Sequence, residues 1–290
     1  MIRRTPLDTR ANFHISDIMN AMKLKILTLN CGATKDRRNY GRGGYVAGLN
    51  DFLTKVFGEQ DYDFILLQEF HSHIFTELNP TLDNYEILRM FDDIGNTESE
   101  LAIVYRKNFL LQENKFYSFT GFSKWNSKWP GIFGLLVGKF QTPTGGLVVG
   151  TVHLSPLFYF TERKKEARFL KKCLIEFNPD DIPVVFGGDF NSGLPGEKIS
   201  NNNIFAPEFT NASIGSGPTV DSGYVEPVVL VNKIAVFLAK WGLHIRLKVD
   251  HIYADTKTGA DNVFYCRVLK DRVSDHSPME VILTSVTTAR

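Results

Sequence analysis

The sequence predicts an α/β fold in which two mixed β-sheets pack face to face with helices outside. Three observations lead there. Short runs rich in β-branched and aromatic residues alternate with longer amphipathic stretches, without internal repeats, along all 290 residues. The short runs are more numerous than one sheet in a domain of this size comfortably holds. Two of them, 134–140 and 147–153, are separated by little more than "TPTGG", residues 142–146. That link is too short for a crossover helix, so the pair must be antiparallel, and an all-parallel sheet is excluded.

Residues 1–21 read as an N-terminal extension, arginine-bearing and poor in acids, without the continuous apolar core of a secretory signal. A frayed terminus and an organellar transit segment both fit that composition. The folded domain is expected over 22–290, opening with "MKLKILTLN". Strands are expected at 24–29, 63–68, 84–91, 101–106, 134–140, 147–153, 182–187, 249–254, 263–268 and 279–284. Helices are expected at 45–57 and 161–177. The second, "TERKKEARFLKKCLIEF", offers a Thr cap and places Ala167, Leu170, Leu174 and Phe177 on one face.

No run reaches the roughly 18 apolar residues that cross a bilayer. The 43% hydrophobic content suffices for a buried core, and the net charge of +1 gives no global field toward polyanions. An anionic ligand must therefore meet a local patch. Cys31, Cys173 and Cys266 lie far apart, without the spacing of a zinc site or a disulfide framework. They read as reduced, packed thiols in a monomer of the cytoplasm or another reducing compartment.

Polar residues recur at the ends of the apolar runs. "VVFGGDFNSG", 184–193, ends a core strand in two glycines, Asp189 and Asn191. Asn30 ends "LKILTLN", Glu69 ends "DFILLQE", His153 ends "LVVGTVH", Asp250 opens "VDHIYAD", and Asp275 and His276 precede the last strand. Each alone is a turn or a cap, but six placements with one logic bring carboxylates, amides and imidazoles to one rim. Hard cations such as Mg²⁺ take carboxylate oxygens, which suits Glu69. Neutral donors such as Asn30 and Asn191 stabilise a phosphoryl group without repulsion. A His beside a carboxylate is the usual base for water, which singles out His276.

In that order, "LTLN", "LLQE", "GTVHLSP", "GGDFNS", "VDHIY" and "SDHSP" resemble the motifs of the endonuclease/exonuclease/phosphatase superfamily, across residues 24–284. The resemblance implies a four-layer α/β sandwich and Mg²⁺-dependent phosphoester hydrolysis, with Mn²⁺ as substitute. It makes Glu69 the principal metal ligand, with Asn30 and Asp275 helping to hold metal or phosphate. It gives Asp189 the attacking water and Asn191 the transition state, and makes His276 a base or phosphate contact oriented by Asp250. His153 matches the leaving-group His of the deoxyribonuclease and sphingomyelinase types, where apurinic-site endonucleases carry Asn. Glu98 or Glu100 is the expected partner of that His, although the register is off by one either way.

The reaction implied is phosphodiester hydrolysis, with DNA or RNA as first substrate and a phospholipid, phosphoinositide or sphingomyelin as the alternative. A non-catalytic scaffold is disfavoured because every motif residue is present. Other segments stay open. His71 and His73 suit a second metal site or a solvated loop, and "RRNYGRGGY", 37–45, suits phosphate contact or solvent. The aromatic run 116–133, with Lys124 and Lys128, reads as a base-stacking or lipid-facing surface, or as a half-buried hairpin. An insertion at 226–247 carries Val229, Ile234, Phe237, Leu238 and Trp241 at roughly helical spacing. A helix docked on the sandwich is the expected outcome, and peripheral membrane contact through Lys233, Lys240 and Arg246 the alternative.

Overall fold

The structure, a computed structural model, describes residues 22–32, 45–59, 61–70, 82–90, 100–122, 133–156, 159–193, 195–221, 237–238, 240–255, 265–271 and 274–285. The first sheet contains β1 (Met22–Asn30), β2 (Phe64–Phe70), β3 (Tyr85–Arg89), β4 (Glu100–Arg106), β13 (Tyr265–Val268) and β14 (Met279–Ser285). Its order is β13-β14-β1-β2-β4-β3, with β1 parallel to β2 and antiparallel to β14. The second contains β5 (Leu110–Ser118), β6 (Gly134–Thr142), β7 (Gly145–His153), β8 (Val184–Asp189), β9 (Phe209–Asn211) and β12 (Asp250–Asp255). Its order is β5-β6-β7-β8-β12-β9, with β7 parallel to β8. Both sheets are mixed, and the "TPTGG" pair forms the antiparallel β6–β7 hairpin.

Alternation along the strands builds the layers. On β1 and β2, Leu24, Ile26, Phe64 and Leu66 face the second sheet, while Leu27, Leu29, Ile65 and Leu67 face the other way. The second sheet answers with Leu136, Phe140, Val149, Val185 and Ile252 on the shared core. The outer faces are covered by helices. Leu49, Leu53 and Val56 of α1 (Tyr45–Glu59) pack on the first sheet. Ala167, Leu170, Leu174 and Phe177 of α2 (Phe160–Phe177) pack on the second, joined by Phe205 of α3 (Pro195–Phe205). The four-layer α/β sandwich follows, with each buried aliphatic side chain contributing about 1.5–3 kcal/mol.

All ten expected strands are present, with ends shifted by at most two residues. The cap of α2 differs from expectation. The N-cap is Tyr159, whose side chain makes no capping bond, and Thr161 lies inside the first turn. Arg163 instead reaches back to the carbonyls of Ser155 and Pro156, tying down the entry to the helix. The strand β5 is additional. Its sequence, "LLQENKFYS", has no clean alternation because it is a largely exposed edge strand. The residues 116–118 of the aromatic run pair there with Leu136–Gly134, whereas 123–132, with Lys124 and Lys128, lie outside the described residues. Residues 1–21, 33–44, His71 and His73 also lie outside them.

All three cysteines are free thiols, Cys31 and Cys173 buried and Cys266 partly so. Among the described residues no helix is long and apolar enough to cross a membrane. Of the apolar residues that set the expected docked helix, Phe237, Leu238 and Trp241 are among the described residues. Phe237 is 58% and Trp241 75% exposed, and their rings pack on each other rather than on the sandwich. Val229 and Ile234 lie outside the described residues.

Candidate active site

The parity that points Leu24 and Ile26 of β1 into the inter-sheet core also points Asn30 inward at the strand's end. The same holds for His153 on β7, Asp189 on β8 and Asp250 on β12. Register then aligns them, since His153 pairs with Asp189 across the parallel ladder and Asp250 with Asp189 across the antiparallel one. The rim is thus the polar continuation of the apolar core stripe.

Glu69 breaks the alternation. Regular pairing would turn it with Ile65 and Leu67 toward α1. The register with β4 shifts between Leu67 and Phe70, and Glu69 takes φ +49°, a left-handed conformation costing a non-glycine residue about 1–3 kcal/mol. The bulge re-aims the carboxylate, and Asn30 Nδ2 donates to both Glu69 Oε1 (3.1 Å) and Asp189 Oδ2 (3.0 Å).

The two glycines before Asp189 have a steric origin. A Cβ on Gly188, at φ +147°, would lie 2.0 Å from the Val152 carbonyl oxygen. One on Gly187 would lie 2.8 Å from Ile252 Cγ1. Glycine lets β7, β8 and β12 close up, placing Asp189 between two imidazoles. Its Oδ2 is 3.5 Å from His153 Nε2 and 3.7 Å from His276 Nε2. Asn191, at φ +51°, donates its backbone N–H to Asp189 Oδ1 (2.7 Å) and its amide to the Leu154 carbonyl (2.9 Å).

His276 comes from the loop before β14. Its Nδ1 is 2.9 Å from Asp250 Oδ2, and its backbone N–H donates to Ser274 Oγ, which donates to the Asn30 carbonyl (2.6 Å). Thr219 supports the other side, with Oγ1 accepting from the N–H groups of Val249 and Asp250 (3.2 Å each). Ser274 went unnoticed in the sequence because a serine beside a turn carries no signal of its own. Asp250 thus serves His276, and the neighbouring His251 lies in a separate buried group, its Nδ1 3.3 Å from Ser213 Oγ. Glu100 forms an ion pair with Arg89, Oε1 lying 2.6 Å from Nε, and Glu98 lies outside the described residues.

The electrostatics are those of crowded carboxylates. Desolvation and the Asp275 charge push the Glu69 carboxyl up to about 7, against the Asn30 hydrogen bond and His276. Burial also raises Asp189, with Asp250 adding to it and His276 and His153 opposing. Burial disfavours charging His276, but Asp250 and Asp189 outweigh it and hold its pKa well above the ordinary value.

The donor set fits a hard divalent cation. Asp275 Oδ1 is buried without a hydrogen-bond partner, and Glu69 carries a carboxylate that its surroundings resist charging. A cation held by both carboxylates would relieve both conditions, with the Asn30 side chain beside Glu69. Asp189, Asp250 and His276 also bring one ligating atom each within 4.8 Å of one another. There, however, Asp250 Oδ2 and His276 Nδ1 are engaged with each other, and Asp250 Oδ1 alone is left without a partner, so the group reads better as an oriented imidazole beside a carboxylate.

No family model matches the sequence, and neither does any curated protein. Solved structures do match. D. rerio TDP2 complexed with single-strand DNA product is 18% identical with TM-score 0.68, over 90% of this chain and 98% of that one. A truncated Caenorhabditis elegans TDP2 is 14% identical with TM-score 0.68, over 91% and 98%. A mannosyl-6-phosphatase of Bacteroides thetaiotaomicron is 17% identical with TM-score 0.64, over 90% and 99%. An endonuclease/exonuclease/phosphatase family protein of the same organism is 17% identical with TM-score 0.64, over 91% and 98%. At such identities the likeness is one of fold, and it extends over nine-tenths of the chain: the protein has the two-sheet sandwich of the endonuclease/exonuclease/phosphatase family.

Proposed function

We propose that the protein is a metal-dependent phosphodiester hydrolase that cleaves nucleic acid strands by in-line attack of water. One observation carries the reading: two imidazoles flank a single buried carboxylate, with Asp189 Oδ2 3.5 Å from His153 and 3.7 Å from His276. Hydrolysis of a diester needs the attacking water oriented on one side of phosphorus and the leaving oxygen protonated on the other. Asp189 orients the water and accepts its proton as it attacks, and His153 gives a proton to the leaving oxygen. His276, kept positive by its carboxylate neighbours, contacts the phosphate, and Asp250 holds its ring. Asn191 and Asn30 donate to the phosphoryl oxygens as charge develops there. Glu69 and Asp275, with Asn30, would hold Mg²⁺ or Mn²⁺, which when bound neutralises phosphoryl charge as a Lewis acid.

Nucleic acid as substrate is supported by the structural likeness to a TDP2 crystallised with a single-strand DNA product. A phospholipid or phosphoinositide is the second reading, favoured by the exposed Phe237 and Trp241. The test is a substrate panel of single-stranded DNA, duplex DNA, RNA, sphingomyelin and phosphoinositides, each with Mg²⁺ and with EDTA. Cleavage of a strand that EDTA abolishes and Glu69→Ala cripples is expected. Full turnover in EDTA overturns the metal mechanism, and hydrolysis of lipid alone overturns the nucleic-acid reading.

A further inference from the structure

From the described end of the 226–247 insertion we infer that the protein carries a docking surface for an anionic phospholipid bilayer beside its active site. The first observation is exposure. Phe237 (58%), Trp241 (75%), Leu243 (61%) and Ile245 (45%) form a run of large apolar side chains facing solvent. The second is charge. From Lys240 to Val249 the sequence has Lys240, Arg246 and Lys248 and not one acid, in a chain whose overall charge is only +1, although Arg246 is paired with buried Asp221 and Lys248 donates to the Ser213 carbonyl. Lys240 is exposed between the two aromatic residues. Aromatic and aliphatic side chains interleaved with lysine and arginine suit a bilayer interface, with rings at the headgroup boundary and cations against anionic lipid.

The third observation is how the surface is rooted. The strands β10 (Val220–Asp221) and β11 (Arg246–Leu247) close the base of the insertion as an antiparallel ribbon. Buried Asp221 binds both His244 Nδ1 (2.7 Å) and Arg246 Nε (3.0 Å), fixing the apolar run to the sandwich. Val220 bridges to His276, and the chain continues from Leu247 into Asp250 within three residues. A membrane bound at Trp241 therefore lies against an element anchored directly to the Asp250–His276 pair. The inference concerns where the protein sits and is independent of which phosphoester it cleaves.

Flotation tests it with the full chain. Wild-type protein is expected to float with phosphatidylcholine vesicles containing about one third phosphatidylglycerol, and about tenfold less with phosphatidylcholine alone. A Phe237→Asp, Trp241→Asp double variant is expected to lose flotation by about tenfold or more while keeping the wild-type melting temperature, because both side chains are exposed. It should also hydrolyse a soluble chromogenic phosphodiester at the wild-type rate. Lys240→Glu should weaken flotation severalfold, and added salt should weaken it further. Absence of wild-type flotation, or equal flotation by wild type and double variant, overturns the inference. A self-association lost in the double variant without flotation assigns the patch to a second copy and overturns it. So does binding to single-stranded oligonucleotide that the double variant loses while neither protein floats.

Discussion

Replacing Asp250 with Asn separates the contribution of the carboxylate to chemistry from its contribution to folding. Asp250 Oδ2 lies 2.9 Å from His276 Nδ1, and the aspartate is 2% exposed. The charge-assisted bond is worth about 1.5–3 kcal/mol, or roughly ten- to a hundredfold in rate if it acts on the transition state. The asparagine keeps the shape, but it no longer supports a charged imidazole or fixes the ring with the same strength. We expect kcat/KM for a DNA oligonucleotide to fall about a hundredfold at saturating Mg²⁺. Stability moves differently. Asp250 Oδ1 is buried without a hydrogen-bond partner, so removing the charge relieves a desolvation cost of similar size to the bond weakened. The melting temperature should stay within about 4 °C of wild type, or rise. Steady-state hydrolysis and thermal unfolding of the same preparation read both quantities. Turnover within about threefold of wild type would remove Asp250 and its hold on His276 from the mechanism.

Three further outcomes follow from the geometry. Gly188→Ala sets a Cβ 2.0 Å from the Val152 carbonyl at φ +147° and should destabilise the fold by about 3 kcal/mol or more, a wild-type melting curve being the refuting result. Gly58→Ala, in α1 with nothing within 4 Å, should instead add about 0.5–1 kcal/mol, and any loss of stability there contradicts the helix environment. Glu280 accepts from Tyr62 (2.7 Å) and Arg267 (2.9 Å) and lies 3.3 Å from Lys25. Burial opposes its charge, but these partners outweigh burial and hold its pKa below the ordinary glutamate value. A depressed carboxyl pKa stabilises the fold above the unfolded value of about 4.3 and loses that effect as pH falls through the folded value. The gap in stability between wild type and Glu280→Gln, about 1–2 kcal/mol after discounting the exposed Arg267, should therefore be full at pH 7 and shrink below about pH 4. A gap that widens on acidification refutes the assignment.

The sandwich was legible because a strand covered on both faces reads as a short continuous apolar run, as in "LKILTLN" and "DFILLQE". Where coverage is one-sided the signal faded, and β5 was missed with its exposed "QENK" centre. The site was legible by the same rule, since Asn30, His153, Asp189 and Asp250 stand at parity positions at the ends of core strands. Glu69 was legible as chemistry but not as geometry. Simple alternation turns it toward α1, and only the bulge with its positive φ brings it to Asn30. The fate of Trp241 was the least legible. Helical spacing of apolar residues predicts a face to be buried without saying what buries it, and at Phe237 and Trp241 the sandwich does not.

The rim is divided between two sheets that, among the described residues, share no backbone hydrogen bond. Asn30 and Glu69 belong to one, and His153, Asp189 and Asp250 to the other. Its distances therefore depend on how the sheets sit across an apolar core, and apolar contact is non-directional. Directly below the rim, on the same inward parity, the core turns polar. The Gln68 amide donates to Thr28 Oγ1 (3.2 Å) within its own sheet and to Thr151 Oγ1 (2.8 Å) across the gap. All three residues are buried, and Gln68 Oε1 has no hydrogen-bond partner. An apolar trio would pack there without that unsatisfied oxygen, which costs about 1–3 kcal/mol. What the amide adds is direction. It ties β2 to β7 two residues below His153 and one before Glu69, so that sliding one sheet over the other breaks a buried bond before it separates Asn30 from Asp189.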